Sequence, residues 1–317
     1  MRRVVAIVGA TATGKTALGE ALAAAVGGEV VCADARQVYR GLEIGSGAPT
    51  PAQRAALPHH LFGALAVGGA GGGPGTAGGA RSGSAGWYAR AARAACEEVF
   101  ARGRTAVLVG GSGLWIAALR FGLHGEPPHD PQVRARLLAE LERGGPAALH
   151  ARLTTTDPVS AARLRPGDRQ RIVRALEVYE SSGRTLTAWR EGTRREGLEA
   201  EWRALELACE PRRLRERIAR RTQAMFAHGL IEETRELCAG GARAALEALR
   251  AIGYDEALAL LDGRCTRAEA EERTTRRTAQ LAKRQRTWFR HQLEAARLSL
   301  PPAGEAGVDE ARRALRL

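Results

Sequence analysis

The sequence is poor in the residues that most often build metal or redox sites. Its five cysteines stand at positions 32, 96, 209, 238 and 265, so no two of them form a CxxC pair. This spacing argues against a zinc module and against a disulfide framework. Buried or incidental thiols in a reducing compartment are the simpler interpretation.

Long hydrophobic runs are also missing. The first apolar run, from Val4 to Val8, stops at Gly9, which is too early for a signal peptide or a membrane span. The later stretches are all too short or too charged to cross a bilayer. We therefore expect a cytoplasmic protein with no membrane partner. The 317 residues, 44% of them hydrophobic, are enough for one large or two smaller globular domains.

Lysine is nearly absent from a chain that is otherwise strongly basic. Of 48 Lys and Arg residues, only Lys15 and Lys283 are lysine, and the formal net charge is +13. This excess favours a polyanionic partner such as nucleic acid, although composition drift in a GC-rich genome would also enrich arginine. Lysine is a compact point charge, whereas arginine is a planar fork. The two remaining lysines are therefore candidates for sites where a guanidinium cannot function.

The order of the predicted elements indicates a parallel sheet flanked by helices. In the first part of the chain we predict strands at 3–8, 29–33 and 105–109, helices at 16–26 and 87–101, and a flexible Gly-rich loop at 66–86. After about residue 118 we predict one strand at 204–207 and helices at 130–143, 168–179, 211–228 and 266–298.

The strongest motif is a phosphate-binding loop. The segment GATATGKT fits GxxxxGK[ST] at every fixed position, and it lies between a predicted strand and a predicted helix. Backbone amides and the helix N-terminus favour a diphosphate there, Lys15 reaches the terminal phosphate, and the Thr16 hydroxyl can ligate Mg²⁺. We predict that the diphosphate is bound by Gly9, Ala10, Thr11, Ala12, Thr13, Gly14, Lys15 and Thr16.

The loop alone does not identify the reaction. Kinases and ATPases of this class carry an Asp after a later strand, but the strand at 105–109 is followed by Gly-Gly and Ser112. The second strand ends instead at Asp34. A P-loop kinase that phosphorylates a small nucleotide or metabolite with ATP stays open at this point. The predicted fold class is α/β, a P-loop-type parallel sheet with a mainly helical insertion domain and a helical C-terminal part.

Several segments, in order along the chain, resemble the bacterial tRNA dimethylallyltransferase family. They are the phosphate loop and the segments 34–49, 58–61, 109–119, 165–179, 217–225, 249–254 and 278–290. Lys283 lies in the last of them. We assign 1–118 and 204–300 to the catalytic core, 119–203 to a helical insertion domain that contacts tRNA, and 301–317 to a tail.

The resemblance implies transfer of a dimethylallyl group from dimethylallyl diphosphate to N6 of adenosine 37 in tRNA. The diphosphate would occupy the loop in place of ATP, with Mg²⁺ as cofactor. Asp34 would be the general base for the amine. Ser112 stands where the family has Thr, and two arginines of one helix would clamp the leaving diphosphate. The implied catalytic residues are Lys15, Thr16, Asp34, Ser112, Arg217 and Arg221.

Contacts to the anticodon stem-loop follow from the same resemblance. The target base must leave its stack to be reached, and basic residues mixed with aromatic ones suit phosphates and unpaired bases. The implied RNA-binding residues are Asp34, Ala35, Arg36, Gln37, Ser112, Arg134, Gln170, Arg171, Ile172, Val173, Arg174, Arg250, Gly253, Tyr254, Lys283, Arg284, Arg286, Trp288 and Arg290. A monomer is expected.

The sequence departs from the family pattern near the expected substrate entrance. Ala35 replaces a serine, Gly47 and Ala48 replace Ala-Lys, and Gly167 replaces an asparagine. These changes concern the prenyl pocket more than the class of reaction. Two further alternatives remain, namely prenyl transfer to free AMP, and an RNA-binding protein whose active site has decayed.

Overall fold

The computed structural model describes residues 2–68, 83–125, 127–192, 196–300 and 307–317, so most of the predicted Gly-rich loop lies outside the described residues. The elements in chain order are β1 (Arg3–Gly9), α1 (Lys15–Ala25), β2 (Glu29–Cys32), β3 (Tyr39–Arg40), α2 (Pro51–Ala56), β4 (His59–His60), β5 (Leu65–Ala66), α3 (Ala85–Ala101), β6 (Ala106–Val109), α4 (Gly113–Phe121), α5 (Pro131–Thr156), α6 (Pro158–Arg163), α7 (Arg169–Ser182), α8 (Leu186–Glu191), β7 (Glu201–Ala208), α9 (Pro211–Ala227), α10 (Leu230–Ala239), α11 (Arg243–Leu249), α12 (Tyr254–Leu261), α13 (Arg267–Gln292), β8 (Ala296–Ser299) and α14 (Val308–Leu315).

The chain divides into two compact units. The core unit combines Met1–Arg120 with Leu198–Leu317, and the inserted unit is Phe121–Gly197. The core unit contains all of the described strands and the phosphate-loop motif, whereas the inserted unit contains α5 to α8. Among the described residues, no helix combines the length and the hydropathy that a membrane span requires.

A parallel sheet forms the centre of the core unit, as the sequence predicts. Its six described strands lie in the order β4-β2-β6-β1-β7-β8, and each neighbouring pair is parallel. The central strand β1 pairs with β6 on one side, where Val4 lies opposite Ala106, and with β7 on the other, where Ile7 lies opposite Leu205. Such a strand is covered on both faces, which explains its continuous apolar sequence.

Alternate residues of β1 belong to the cores on opposite faces of this sheet. Val4 packs in a cluster with Tyr88 of α3 and residues of α4. Ile7 packs in a second cluster, which includes Leu22 of α1. Because β1, β2 and β6 are parallel, their carboxyl ends lie at the same edge of the sheet. The segments that carry the polar motifs begin at this edge.

The C-terminal part corrects the sequence prediction in two places. Helix α13, which we predicted to run to 298, ends at Gln292, and residues 296–299 form the edge strand β8 beside β7. The segment that we assigned to a tail contains α14. Ala311 and Leu315 of this helix are buried in the same cluster as α1, so this part of the chain belongs to the core unit.

The inserted unit is helical, and its longest helix is kinked. Asp130 caps α5 by accepting hydrogen bonds from the first-turn amides, and Pro131 follows it, which is a favourable helix start. Gly145 interrupts the helix with a φ of +72°, so the helix predicted to stop near 143 resumes at Pro146. Leu137 of α5 packs against α7 in the apolar core of this unit.

Candidate active site

The phosphate loop connects β1 to α1 and needs glycine at two positions. Gly9 has a φ of +136°, and a Cβ atom there would lie 2.6 Å from the carbonyl oxygen of Leu207. Gly14 has a φ of +88°, in the left-handed region that side chains disfavour. Ala12 also has a positive φ, +64°. These residues turn the chain from the end of β1 into the N-terminus of α1, the end of a helix that favours an anionic ligand.

Lys15 lies inside this loop. Its Nζ donates a hydrogen bond to the carbonyl oxygen of Ala10 at 2.6 Å, and the Thr13 hydroxyl donates to the same oxygen at 2.9 Å. Burial lowers the pKa of Lys15 to about 8, an effect that Asp34 opposes and Arg221 reinforces. A partly buried ammonium group held by a carbonyl is suited to receiving an anionic ligand.

Two arginines of α9 lie over the loop. Arg217 and Arg221 are four residues apart and so share one face of the helix. Arg217 Nε donates to the carbonyl oxygen of Ala12 at 2.7 Å. Arg221 donates from Nη2 to the carbonyl oxygen of Ser46 at 2.8 Å and from Nη1 to the Thr11 hydroxyl at 3.4 Å. Burial lowers the pKa of Arg221, which Asp34 opposes.

Asp34 and Ser112 follow neighbouring parallel strands. The Ala33 amide donates to Val109 O at 2.8 Å, and the Ser112 amide donates to Ala33 O at 3.1 Å, which holds the two strand ends together. The Ser112 hydroxyl accepts a hydrogen bond from the Ala35 amide at 2.9 Å. The carboxylate of Asp34 accepts one from the Arg36 amide, also at 2.9 Å.

These residues surround two cavities of the core unit. The first has a volume of about 580 Å³ and is lined by the loop, by Asp34, Gln37 and Gln53, and by the α9 arginines. The second has a volume of about 520 Å³ and is lined by residues that include Arg36, Ser112 and Met225. Four residues line both cavities: Thr11, Asp34, Ser46 and Arg221.

The first cavity could hold a magnesium ion together with a diphosphate. Thr16 lines it beside Lys15, and the carboxylate of Asp34 lines it as well. The described part of the chain contains no cluster of three or more His, Cys, Asp or Glu side chains able to hold a metal. This donor set fits Mg²⁺, which takes few protein oxygens and several oxygens of substrate phosphates.

Several residues predicted to bind RNA meet at the second cavity. Ala35, Arg36, Ser112, Arg250 and Arg284 line it. Arg36 Nη2 also donates to the carbonyl oxygen of Leu249 at 2.9 Å, which joins the segment after β2 to the last residue of α11.

Gln37 does not line the second cavity with the other predicted RNA-binding residues that follow β2. It lines the first cavity, where its Nε2 donates to the carbonyl oxygens of Ser46 at 3.2 Å and Gly47 at 2.8 Å. It is therefore engaged with the protein backbone.

The basic end of α13 faces a third cavity of the core unit. Lys283, Arg286 and Arg290 line it, and its volume is about 440 Å³. Trp288 packs closely on α4, because a Cβ atom on Gly113 would lie 2.1 Å from its indole ring. The indole is therefore half-buried against the protein and offers only part of its surface for stacking.

Tyr254 and Gly253, which were also predicted to bind RNA, are buried in the core unit as well. Tyr254 is 1% exposed, and its hydroxyl donates to Glu233 Oε1 at 2.5 Å. Gly253 is buried beside it, with a φ of +94° that allows the tight turn into α12. The prediction of an RNA contact for the Tyr254 side chain is corrected here, because that side chain packs in the core.

In the inserted unit, the predicted RNA-binding residues of α7 lie on different faces of that helix. Gln170 and Arg171 are exposed on α7. Ile172 and Val173 are fully buried in the apolar core of that unit, so contacts from their side chains to RNA are excluded. The motif spans a whole turn of helix and therefore includes core residues beside surface residues.

Arg134 and Arg174 bind a buried carboxylate in the inserted unit. Glu177 is fully buried and accepts from Arg134 Nη1 at 2.9 Å, while Arg174 Nη1 lies 3.3 Å from it. Arg174 also donates to the carbonyl oxygens of Pro127 and Pro128. Burial alone would raise the pKa of Glu177, but the hydrogen bond from His129 and the arginine charges lower it.

Sequence reasoning missed some residues that shape the site. Gln285 donates to the carbonyl oxygen of Gly111 at 3.0 Å and accepts from the Thr11 amide at 2.8 Å. Gln285 lies inside the segment 278–290, which resembles the family, so its position in the sequence could have indicated a role in the site. Arg220 lines the first cavity. The only feature of the sequence that could have indicated this is its position next to Arg221. Glu233 lies in a segment with no motif at all.

Comparison with known proteins identifies the family to which the chain is similar. The family model described as IPP transferase matches residues 37–292, and the one described as isopentenyl transferase matches residues 2–57. A tRNA dimethylallyltransferase of Salinispora arenicola is 44% identical over 317 residues, covering 99% of this chain and 86% of that protein. One of Streptomyces coelicolor is 43% identical over 290 residues, covering 91% and 87%.

A solved structure shows the same fold. The full-length tRNA isopentenylpyrophosphate transferase of Bacillus halodurans has a TM-score of 0.63 and 33% sequence identity, covering 94% of this chain and 90% of that chain. The resemblance that the motifs indicated is thus confirmed along nearly the whole sequence. The chain belongs to the IPP transferase family.

Proposed function

We propose that this protein transfers a dimethylallyl group from dimethylallyl diphosphate to N6 of adenosine 37 in tRNA, releasing diphosphate. The observation that carries the proposal is that Asp34 lines both adjoining cavities. The first cavity offers backbone amides and the charges of Lys15, Arg217 and Arg221 to a diphosphate. The second is lined by Arg36, Ser112 and other polar residues suited to a nucleotide.

The proposed reaction exchanges one bond for another. The C–O bond between the prenyl carbon and the diphosphate breaks, and a C–N bond to the adenine amine forms. The amine proton passes to the carboxylate of Asp34, which serves as general base. Lys15, Arg217 and Arg221 stabilise the negative charge that develops on the departing diphosphate.

Magnesium has a defined place in this proposal. The Thr16 hydroxyl and the diphosphate oxygens would hold the ion in the first cavity. When bound, it neutralises charge on the leaving group. Ser112 accepts a hydrogen bond from the Ala35 amide and so fixes the backbone directly after Asp34.

The acceptor base would enter the second cavity after leaving the anticodon loop. Arg250 and Arg284 line this cavity and would contact the phosphates next to that base. Lys283, Arg286 and Arg290 extend the basic surface along α13, and exposed Gln170 and Arg171 provide further contacts on the inserted unit. The proposal has the protein act as a monomer in the cytoplasm, where tRNA is found.

The proposal is tested by incubating the purified protein with Mg²⁺, radiolabelled dimethylallyl diphosphate and unmodified tRNA that has adenosines at 36 and 37. We expect label in the tRNA, and no label when adenosine 37 is replaced. A parallel reaction with AMP as acceptor tests transfer to a free nucleotide, and one with labelled ATP tests a kinase. Label in AMP alone, or phosphoryl transfer from ATP, would contradict the proposal.

A further inference from the structure

A carboxylate on α10 binds the backbone of the turn that follows β3. Glu233 Oε2 accepts hydrogen bonds from the amides of Glu43 at 3.1 Å and Ile44 at 2.9 Å, and Oε1 lies 3.4 Å from the amide of Gly45. Consecutive backbone amides aimed at one anion form a nest. Here the anion is a side chain of the protein, and residues 43–48 form what we call the 43–48 turn.

Tyr254 completes this arrangement. Its hydroxyl donates to Glu233 Oε1 at 2.5 Å and accepts from the Gly45 amide at 3.1 Å. Burial and the charge of Glu233 raise the pKa of Tyr254 far above its usual range, so the hydroxyl keeps its proton. A Cβ atom on Gly45 would lie 2.4 Å from the Tyr254 ring, so the turn packs directly on this side chain.

The opposite side of the 43–48 turn lines the reaction site. The carbonyl oxygen of Ser46 accepts from Arg221 Nη2 at 2.8 Å, and that of Gly47 accepts from Gln37 Nε2 at 2.8 Å. Ser46 lines both cavities. A Cβ atom on Gly47 would lie 2.4 Å from Arg221 Nη2, so the guanidinium packs tightly against this backbone.

We infer that Glu233 is a positioning residue for diphosphate binding, which it controls by fixing the 43–48 turn on which the Arg221 guanidinium rests. Glu233 contacts backbone amides of the turn, and the turn in turn orients Arg221 over the phosphate loop. The inference rests on the proposed function for the identity of the prenyl donor. Binding of diphosphate itself does not depend on the acceptor.

The test compares Glu233→Gln with the unsubstituted protein. Glutamine keeps the size of the side chain but loses the charge, and its amide nitrogen cannot accept hydrogen bonds from the turn. We expect the KM for dimethylallyl diphosphate and the Kd for inorganic diphosphate to rise roughly tenfold, with the Kd for tRNA unchanged. Tyr254→Phe removes two hydrogen bonds, the one donated to Glu233 and the one accepted from the Gly45 amide, and should raise both constants about threefold.

The matched control is Glu232→Ala. Glu232 precedes Glu233 in the same first turn of α10, but its side chain is 61% exposed and lies 3.8 Å from Arg235. This variant should bind diphosphate like the unsubstituted protein. The Glu233→Gln and Tyr254→Phe changes act on one network, so their effects on diphosphate affinity should be less than additive in the double variant.

Two results would overturn the inference. One is an unchanged Kd for inorganic diphosphate in both Glu233→Gln and Tyr254→Phe. The other is an equal loss of affinity for diphosphate and for tRNA together with a large fall in Tm, because this would assign Glu233 to general stability. If Glu233→Gln does not fold, Tyr254→Phe decides alone. If the unsubstituted protein does not transfer a prenyl group, the proposed function is contradicted. The role of Glu233 is still tested in that case, because calorimetry measures the Kd for inorganic diphosphate without any transfer.

Discussion

The side chain of Gln285 accepts a hydrogen bond from the backbone amide of Thr11 at 2.8 Å, which joins the long helix α13 to the phosphate loop. The same side chain donates to Gly111 O at 3.0 Å. A Cβ atom on Gly111 would lie 2.2 Å from Gln285 Nε2, so this contact is tight. Gln285 therefore fixes the distance between the segments that follow the parallel strands β1 and β6.

Gln285→Ala should lower kcat/KM for prenyl transfer about tenfold, because the loop and the Gly111 turn lose their shared hydrogen-bond partner. The measurement is steady-state transfer of labelled dimethylallyl groups to tRNA. Gln292→Ala, at an exposed position on the same helix, should leave kcat/KM unchanged. Equal activity in the two variants would show that the bridge from Gln285 to Thr11 is dispensable.

Asp34→Asn should lower kcat by about 10² to 10⁴, the usual contribution of a general base. The amide keeps the size of the side chain and cannot take the amine proton. The Kd for tRNA should change little, since Asp34 is one of many residues that line the second cavity. Single-turnover transfer and tRNA binding are measured on the same preparation. A kcat within threefold of the unsubstituted value would remove Asp34 as the base.

Binding of dimethylallyl diphosphate should weaken as the pH rises from 7 to 9. The pKa of Lys15 is about 8, below the ordinary value of 10.5, so its positive charge is present below this pH and lost above it. The Kd should rise by up to about tenfold over this range, in proportion to the loss of the protonated form. Lys15→Gln should bind weakly at pH 7 and show little change to pH 9. A Kd that rises equally in both proteins would assign the titration to another group.

Glu177→Ala should destabilise the inserted unit by about 2 kcal/mol, because it leaves partly buried arginines without their common carboxylate. Arg134 and Arg174 lose their common partner, so tRNA affinity should fall as well. Diphosphate affinity should stay constant, because the phosphate loop lies in the core unit. Unfolding is followed by urea denaturation. Glu142→Ala, whose side chain is 75% exposed, should change stability by less than about 0.5 kcal/mol.

The sequence predicts the parts of the site that depend on local chemistry. The phosphate loop, Asp34 and Ser112 follow strands that are recognisable from their apolar runs, and parallel pairing brings the ends of such strands together. The family resemblance indicates Arg217 and Arg221, and their spacing of four residues puts them on one face of α9. For these residues, motif and element order are enough.

Non-local contacts account for what sequence reasoning missed. The four residues of β8 look like a continuation of α13, and only pairing with β7 makes them a strand. The furthest backbone amide that Glu233 binds, that of Glu43, lies 190 residues away in sequence, and no local pattern marks Glu233. Tyr254 and Ile172 lie in recognisable motifs, yet a motif alone does not tell which of its side chains face the core.

The shared lining of the two cavities has an energetic consequence. Because Thr11, Asp34, Ser46 and Arg221 line both, a ligand that displaces any of them in one cavity changes the surface offered by the other. The two binding equilibria are then thermodynamically linked. Cooperativity between them must be reciprocal, so the factor by which one ligand alters the affinity of the other is the same whichever binds first.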